Sequence, residues 1–351
     1  MLDRVSRVSR WTVLFALILF GAALAGCGKS AAPTPPAPAQ PPAKLTLYSA
    51  VNEEYMHKLA AEFEKETGIK VEALRLSAGE IVARVRAEKN APKADVWFGG
   101  SADGFIQAKQ EGLLEKYVSP QAAAIPARLK DPDGYWTGVY IGYIGFVSNR
   151  KLLAEKGIPA PTSWEELLQP KLRGQVVAAN PGTAGAAYTM LATLVQLYGE
   201  EKAFQYMKSL HGVVKNYPRS AVAAAQMAGM GETTVGVAFL QDAVRFQEQG
   251  MKDIVITAPR EGTGYEIGAV AIVKGTTQMA AAKKFIDWTL TKKAQEIGQT
   301  VGAYQYPTHP DAKSPAIAES IRNTKLIDYD FVWAGQNRKR LIEKWNELVK
   351  Q

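Results

Sequence analysis

The spacing of apolar residues predicts strands and helices that follow one another along most of the chain. Residues 44–50 (KLTLYSA) alternate between apolar and polar positions and then end at small residues, which is typical of a strand leading into a loop. In residues 52–68 the apolar positions recur at helical spacing from Tyr55 to Phe63, and Gly68 ends the helix. Repetition of this order along the chain predicts an α/β fold with a largely parallel sheet.

The same alternation restarts in the second third of the chain, so two α/β units follow one another. Connections near residues 140–148 and 258–268 join the two units. Ser77, with Glu80 three residues later, is typical of a capping box at a helix start. The further predicted strands are 69–76, 94–100, 139–147, 253–259 and 266–275, and the further predicted helices are 77–89, 101–112 and 278–298.

The first 43 residues have the composition of an export signal and a tether. Residues 1–10 carry three arginines, and residues 11–26 are almost wholly apolar and end in small residues, which predicts a secretory signal peptide over 1–26. Residues 24–27 (LAGC) resemble the lipobox of bacterial lipoproteins, which implies lipid attachment at Cys27. The alternative is an uncleaved anchor helix with an incidental cysteine. Residues 27–43 contain the lipidated cysteine and a proline-rich tether that cannot pack.

Composition narrows the function of the remaining body of about 300 residues. Hydrophobic residues make up 47% of the chain and charged residues 22%, which are globular values. The formal net charge is +8, yet the basic residues form no dense run, so a nucleic-acid partner is not expected. The three histidines stand in no recognisable catalytic pattern, and no cofactor or metal motif occurs. We therefore expect no cofactor and a binding protein; a secreted enzyme acting on a phosphorylated small molecule remains the alternative from another class.

Small, hydroxylated or glycine residues follow several predicted strands at the point where a helix begins. A helix N-terminus offers about four unbonded backbone N–H groups and a partial positive charge, and small side chains let an anion approach them. Ligands of open α/β sheets lie beyond the carboxyl ends of the strands, where these segments stand. Ordinary helix capping is the alternative for any single segment. The segments are Ser49–Ala50, Ser77–Ala78–Gly79, Gly100–Ser101, Thr183–Ala184–Gly185 and Ser220–Ala221.

Several strings occur in an order that resembles the extracellular solute-binding proteins of ABC importers. They are ADVWFGG (94–100), GFVSNRKLLAEKGIPAPTSWEELLQPKLRGQVVAANP (145–181), PREGTGYEIGAVAIVKG (259–275) and AAKKFIDWTLTKKAQ (281–295). The likeness is strongest to the branch that binds ferric ion, phosphonates and phosphorylated small molecules. It implies a periplasmic-binding-protein type 2 fold whose two crossover segments form a hinge. The expected division is 44–143 plus 264–310 as lobe 1, 144–263 as lobe 2, and C-terminal helices over 311–351 that pack on the lobes.

The resemblance also assigns residues to the ligand. NPGTAGAAYT (180–189) is similar to the family's phosphate-contacting turn, which implies that Thr183 and the amides of Ala184 and Gly185 contact an anion. The family's iron binders carry an adjacent tyrosine pair just after the strand written here VGVAF, where this chain has LQDA (240–243). That difference counts against a ferric-iron importer, which remains an alternative, and it leaves Gln241 and Asp242 for an amine or hydroxyls of the ligand.

The prediction is therefore a lipid-anchored, extracytoplasmic and monomeric receptor. It captures a small anionic solute, such as a phosphonate or a phosphorylated compound, by hinge closure, and it delivers the solute to a membrane permease with its ATPase. No metal site is expected. The predicted ligand-binding residues are Ser49, Ser77, Ala78, Gly79, Gly100, Ser101, Tyr140, Thr183, Ala184, Gly185, Ser220, Gln241, Asp242 and Tyr265.

Overall fold

Strands and helices alternate through the first part of the chain, as the spacing of apolar residues and the residues at the helix ends predict. The computed structural model describes residues 44–350. The Asn52 side chain accepts a hydrogen bond from Tyr55 N at the start of the first helix, and Gly68 ends that helix with a left-handed φ of 71°. The elements are β1 (Lys44–Ser49), α1 (Glu53–Thr67), β2 (Lys70–Arg75), α2 (Ala78–Ala87), β3 (Val96–Ser101), α3 (Ala102–Gln110) and β4 (Leu114–Glu115).

The middle and the end of the chain repeat the alternation. The middle part holds β5 (Thr137–Asn149), α4 (Arg150–Lys156), β6 (Val176–Ala178), α5 (Gly185–Tyr198), α6 (Glu200–His211), β7 (Val214–Asn216), α7 (Ala221–Gly229), β8 (Val235–Phe239), α8 (Leu240–Glu248) and β9 (Ile254–Thr257). The last part holds β10 (Tyr265–Val273), α9 (Met279–Thr289), α10 (Lys292–Gln295), β11 (Tyr306–Pro307) and α11 (Phe331–Val349).

One long strand, β5, connects two sheets. The strands run in the order β2-β1-β3-β10-β5-β8-β6-β7. The first half of β5 pairs antiparallel with β10, from Thr137 opposite Val270 to Tyr143 opposite Tyr265. Its second half pairs with β8 and β9, beginning with Ile144 opposite Phe239. The change of partner at residues 143–144 is therefore the first crossover, and the chain returns in β10, so the α/β fold class is confirmed. The prediction of a largely parallel sheet is wrong: four strand pairings of the described residues are parallel and six are antiparallel, because β5 and β10 run antiparallel to all their neighbours.

Two separate hydrophobic cores lie on either side of this crossover. One is built from residues of 45–140 and 267–303 and surrounds Phe63, Trp97 and Phe285. The other is built from residues of 144–254 and 329–345 and surrounds Trp164 and Tyr188. We call the parts of the molecule around these cores lobe 1 and lobe 2.

The C-terminal helix α11 contacts both lobes. Leu341 and Trp345 belong to the core of lobe 2, whereas Phe331 packs against both cores. Arg338, on the same helix, forms a buried ion pair with Asp103 on α3 of lobe 1, with 3.1 Å between Nε and Oδ1. The helix is therefore a third connection between the lobes, in addition to β5 and β10.

Candidate functional site

A cavity lies between the lobes, at the ends of their strands. Both lobes and both crossover strands contribute to its wall. The lining residues are Ala50, Val51, Asn52, Arg75, Ser77, Ala78, Gly100, Tyr140, Ala184, Gly185, Ala186, Ser220, Ala221, Val222, Phe239, Gln241, Asp242, Glu266 and Gln305.

Of the five helices that begin at this cavity, α1, α2, α5, α7 and α8, three present small residues to it. Ser77 and Ala78 stand at the start of α2, Ala184 and Gly185 at the start of α5, and Ser220 with Ala221 at the start of α7. The starts of α2 and α5 are close together, because a β-carbon added to Gly185 would lie 3.4 Å from Ala78 Cβ. The free N–H groups and the positive dipole ends of three helices from two lobes are thus directed toward the same space. This part of the cavity is suited to an anion.

Glycine and a buried phenol shape the wall between these helix starts. Gly100 has a φ of 89°, and a β-carbon there would lie 2.9 Å from Ala78 Cβ, so a larger residue would fill the space in front of α2. Gly100 N donates a hydrogen bond of 3.0 Å to the Tyr140 hydroxyl oxygen. Burial raises the pKa of Tyr140 well above its usual value, so its phenol stays protonated and neutral.

The wall of the cavity also carries two carboxyl groups and an amide. Gln241 Nε2 donates to Glu266 Oε1 across 3.3 Å, and Asp242 follows Gln241 on α8. Burial raises the pKa of Glu266 well above its usual value, and the neighbouring Asp242 and Asp103 add to that shift. Burial also raises the pKa of Asp242, to about 6, against the opposing charges of Arg245 and Arg75. These groups would hydrogen-bond hydroxyl or amine groups of a ligand.

The shifted pKa of Asp242 predicts that its carboxylate destabilises the free protein at neutral pH. A carboxyl whose pKa is higher in the folded than in the unfolded state lowers stability as pH rises from about 4 to about 6. We expect D242N to raise the free energy of unfolding at pH 7.5 by about 1–2 kcal/mol, and to change it little at pH 4. Urea denaturation at the two pH values measures this. A wild-type advantage at pH 7.5 would contradict the assignment.

Direct contacts between the lobes close one side of the cavity. Gly79 N, in the first turn of α2, donates a hydrogen bond of 2.9 Å to Thr183 O in the turn before α5. Glu80 of lobe 1 forms an ion pair with Arg219 of lobe 2, and one of its oxygens also accepts from Ser77 N at 2.9 Å. Burial raises the pKa of Glu80, but the hydrogen bonds from Ser77 N and Arg219 outweigh it and lower the pKa overall. Glu80 therefore joins the start of α2 to the loop that precedes α7.

The ion pair between Glu80 and Arg219 predicts a modest effect on ligand retention. The Arg219 side chain is 78% exposed, and exposed ion pairs contribute about 0.2–1 kcal/mol. Because the pair forms only when the lobes meet, we expect R219A to increase the ligand dissociation rate about two- to fivefold and to leave the melting temperature unchanged. Stopped-flow dissociation measures the rate. A slower dissociation than wild type would contradict the role of this pair in closure.

A comparison with known families identifies the chain. Residues 91–333 match the sequence profile of a family described as bacterial extracellular solute-binding protein. The chain belongs to the bacterial extracellular solute-binding proteins. The sequence-based identification as a solute-binding protein of an ABC importer is thereby confirmed.

Relatives and solved structures agree with this family. The periplasmic binding protein AfuA from Actinobacillus pleuropneumoniae, solved with exogenous fructose-6-phosphate bound, superposes with a TM-score of 0.85 at 40% identity, covering 88% of this chain and 99% of that one. A protein of Salmonella typhimurium is 30% identical to this chain, over 71% of this chain and 72% of its own length. Its name is "Putative 2-aminoethylphosphonate-binding periplasmic protein". The ferric binding protein from Campylobacter jejuni shares the fold, with a TM-score of 0.75 at 22% identity, covering 87% of this chain and 99% of that one.

Nine of the fourteen predicted site residues line the cavity of this solute-binding protein. They include residues of all three helix starts and the pair on α8. The nine are Ser77, Ala78, Gly100, Tyr140, Ala184, Gly185, Ser220, Gln241 and Asp242.

The other five predicted residues lie outside the lining, because each is buried or contacts another part of the protein. The Ser49 and Ser101 hydroxyls are enclosed within lobe 1. Gly79 N is bonded to Thr183 O, and the Thr183 hydroxyl donates to Arg219 O at 2.9 Å, so both residues belong to the interlobe contact. The Tyr265 ring packs edge-on against Phe331 at the start of α11.

Ten lining residues are missing from the list of predicted ligand-binding residues. They are Ala50, Val51, Asn52, Arg75, Ala186, Ala221, Val222, Phe239, Glu266 and Gln305. Arg75 ends β2, two residues before the start of α2, so its position next to a predicted helix N-terminus was a signal for it. Phe239 lies two residues before Gln241 and three residues before Asp242. Gln305 comes from a distant loop, and local pattern contains no signal for it.

Other predictions concern metal, membrane and the N-terminus. Within residues 44–350 no group of three or more histidine, cysteine, aspartate or glutamate side chains is arranged to hold a metal ion. In the same range no helix combines the length and apolarity that crossing a membrane requires. The signal peptide, the lipidated Cys27 and the tether lie outside the described residues.

Proposed function

We propose that this protein captures a small solute with an anionic group at one end and hydroxyl or amine groups at the other, and delivers it to an ABC importer. The observation that carries this proposal is the arrangement of the cavity wall. Three helix N-termini with small residues line the cavity, and so do Gln241, Asp242 and Glu266. Helix N-termini favour anions, whereas buried carboxyl and amide oxygens need hydrogen-bond donors.

A phosphoryl or phosphonyl group fits the anionic end best. Its three oxygens accept several hydrogen bonds at once, which suits N–H groups arriving from α2, α5 and α7. Two relatives support this assignment by what their names state that they bind. AfuA holds fructose-6-phosphate, and the Salmonella protein is named for 2-aminoethylphosphonate. Fructose 6-phosphate and 2-aminoethylphosphonate each carry a phosphorus oxyanion together with hydroxyl or amine groups.

Ferric ion is less well supported as the ligand. It prefers hard, charged oxygen ligands, yet the one tyrosine among the lining residues, Tyr140, accepts a hydrogen bond from Gly100 N and has a strongly raised pKa. The relatives and solved structures named for iron are 19–26% identical, below the 40% of AfuA. Binding without turnover also accords with the transport names of these relatives, so we propose no enzymatic reaction.

The proposed mechanism is closure of the lobes around the solute. A ligand that contacts both lobes favours the closed state by its higher affinity for it. The contact between Gly79 and Thr183 and the ion pair between Glu80 and Arg219 would then form over the bound solute. The closed protein would dock on a membrane permease, while lipid on Cys27 holds the monomeric receptor at the outer face of the membrane.

Ligand screening of the soluble body tests the proposal. The protein is unfolded and refolded to remove any ligand that co-purifies, and that ligand is identified by mass spectrometry. A thermal-shift screen then compares fructose 6-phosphate, 2-aminoethylphosphonate, inorganic phosphate, fructose and ferric citrate. A ligand that binds only the folded state raises the melting temperature by mass action. We expect a phosphorylated or phosphonylated compound to give the largest shift, and a shift with ferric citrate alone would overturn the proposal.

A further inference from the structure

Arg75 is the one cationic side chain among the cavity-lining residues of the described chain. It is the last residue of β2 in lobe 1, and the chain enters α2 two residues later. The side chain is half-buried, and its guanidinium reaches across to lobe 2, where Nη2 lies 3.5 Å from Ser220 Oγ at the start of α7. The guanidinium therefore stands between two of the helix N-termini that form the anionic end of the cavity.

The guanidinium has unused hydrogen-bonding capacity. Arginine carries five N–H donors, and the long bond to Ser220 is the one hydrogen bond of the Arg75 side chain within residues 44–350. No carboxylate of that range lies within ion-pair distance of it, although its charge opposes the rise that burial causes in the pKa of Asp242. A cation held in a cavity wall without a close counter-ion is available to a ligand.

The balance of charge in the cavity determines how Arg75 affects the charge of the ligand that binds. The lining contains two acidic side chains, Asp242 and Glu266, whose raised pKa values favour the neutral form, and Arg75 is its one cationic side chain. Helix N-termini contribute only partial charges of about +0.5 each, and those fall off within a turn. A second negative charge on the ligand must therefore be balanced mainly by Arg75.

We infer that Arg75 makes the cavity selective for a doubly charged terminal oxyanion, a phosphoryl or phosphonyl group, over singly charged groups of the same shape. The guanidinium donates charge-assisted hydrogen bonds to the oxyanion and holds it at the starts of α2 and α7. The inference rests on the proposed function and adds the determinant of ligand charge to it. Arg75 belongs to lobe 1 and Ser220 to lobe 2, so the same oxyanion would also bridge the lobes.

Isothermal titration with a pair of isosteric esters tests this assignment. Fructose 6-phosphate carries two negative charges at pH 8, because the second pKa of a phosphate ester is about 6, whereas fructose 6-sulfate carries one. We expect wild-type protein to prefer the phosphate by about tenfold or more. In R75Q the phosphate affinity should fall about 30- to 100-fold and the sulfate affinity only about fivefold, so that the preference largely disappears.

Two further variants complete the experiment. R75K keeps the charge but loses the planar fork, and should retain part of the preference for phosphate. R173Q removes one positive charge from an exposed position outside the cavity and should bind both esters as wild type does. An unchanged phosphate-to-sulfate ratio in R75Q overturns the inference about Arg75 alone. Wild-type protein that binds neither ester, nor 2-aminoethylphosphonate, overturns the proposed function and this inference with it.

Discussion

Replacing Gly79 by alanine is expected to weaken ligand binding about 100-fold while leaving the free protein at least as stable as wild type. A β-carbon at this position would overlap the Gly182 carbonyl oxygen and would lie 2.9 Å from Thr183 Cα. Both obstacles are backbone of lobe 2, which cannot rotate away as a side chain can. The lobes must then stay apart, and the three helix starts no longer meet around the anion. Overpacking of this kind costs about 1–3 kcal/mol, up to a 100-fold change in affinity.

The opposite signs of the two effects make this substitution informative. Alanine favours a helix over glycine by about 0.5–1 kcal/mol, so the open, ligand-free protein gains stability if it changes at all. Titration calorimetry gives the affinity and urea denaturation gives the stability. A87S, at the exposed last position of α2, is the matched control in the same helix. Wild-type affinity in G79A would show that Gly79 does not meet lobe 2 in the ligand-bound protein.

Removing the positive charge of Arg338 is expected to cause the largest loss of stability. The side chains of Arg338 and Asp103 are only 4% and 2% exposed, and the Arg338 guanidinium also lies 4.8 Å from the centre of the Tyr188 ring in lobe 2. Burial raises the pKa of Asp103 even with Arg338 beside it. R338M therefore leaves a buried carboxyl without a counter-charge, and removal of one partner of a buried pair costs about 3–5 kcal/mol.

A neighbouring ion pair on the same helix provides the control. Arg340 pairs with Glu200 at the surface of lobe 2, with side chains 50% and 31% exposed. We expect R340M to lower the free energy of unfolding by less than about 1 kcal/mol. The double variant D103L/R338M removes both buried charges and should recover most of the loss caused by R338M. A loss in R338M no greater than that in R340M would contradict the account of the buried pair.

The helix starts that line the site can be predicted from local sequence patterns. Each helix start depends on residues next to it, such as Ser77 with Glu80 before α2, and these starts line the cavity. The α/β class could be predicted for the same reason, because strands and helices follow from the spacing of apolar residues within short windows.

Contacts between distant residues account for what the sequence did not predict. The Thr183 hydroxyl is directed to Arg219 O, 36 residues later, so it serves the interlobe contact instead of the cavity. Asp103 and Arg338 are separated by 235 positions, and their pairing depends on where α11 lies across the lobes. Gln305 reaches the cavity from a loop after α10. Periodicity and capping signals contain no information about such placements.

The most direct test of the central claim is titration calorimetry of ligand-stripped wild-type protein with fructose 6-phosphate and, separately, with fructose. We expect saturable one-to-one binding of the phosphate ester and at least about 100-fold weaker binding of fructose, because only the ester carries the anion for the three helix N-termini. Equal affinity for the two sugars would contradict this role of the helix N-termini, as would the absence of measurable binding of both fructose 6-phosphate and 2-aminoethylphosphonate.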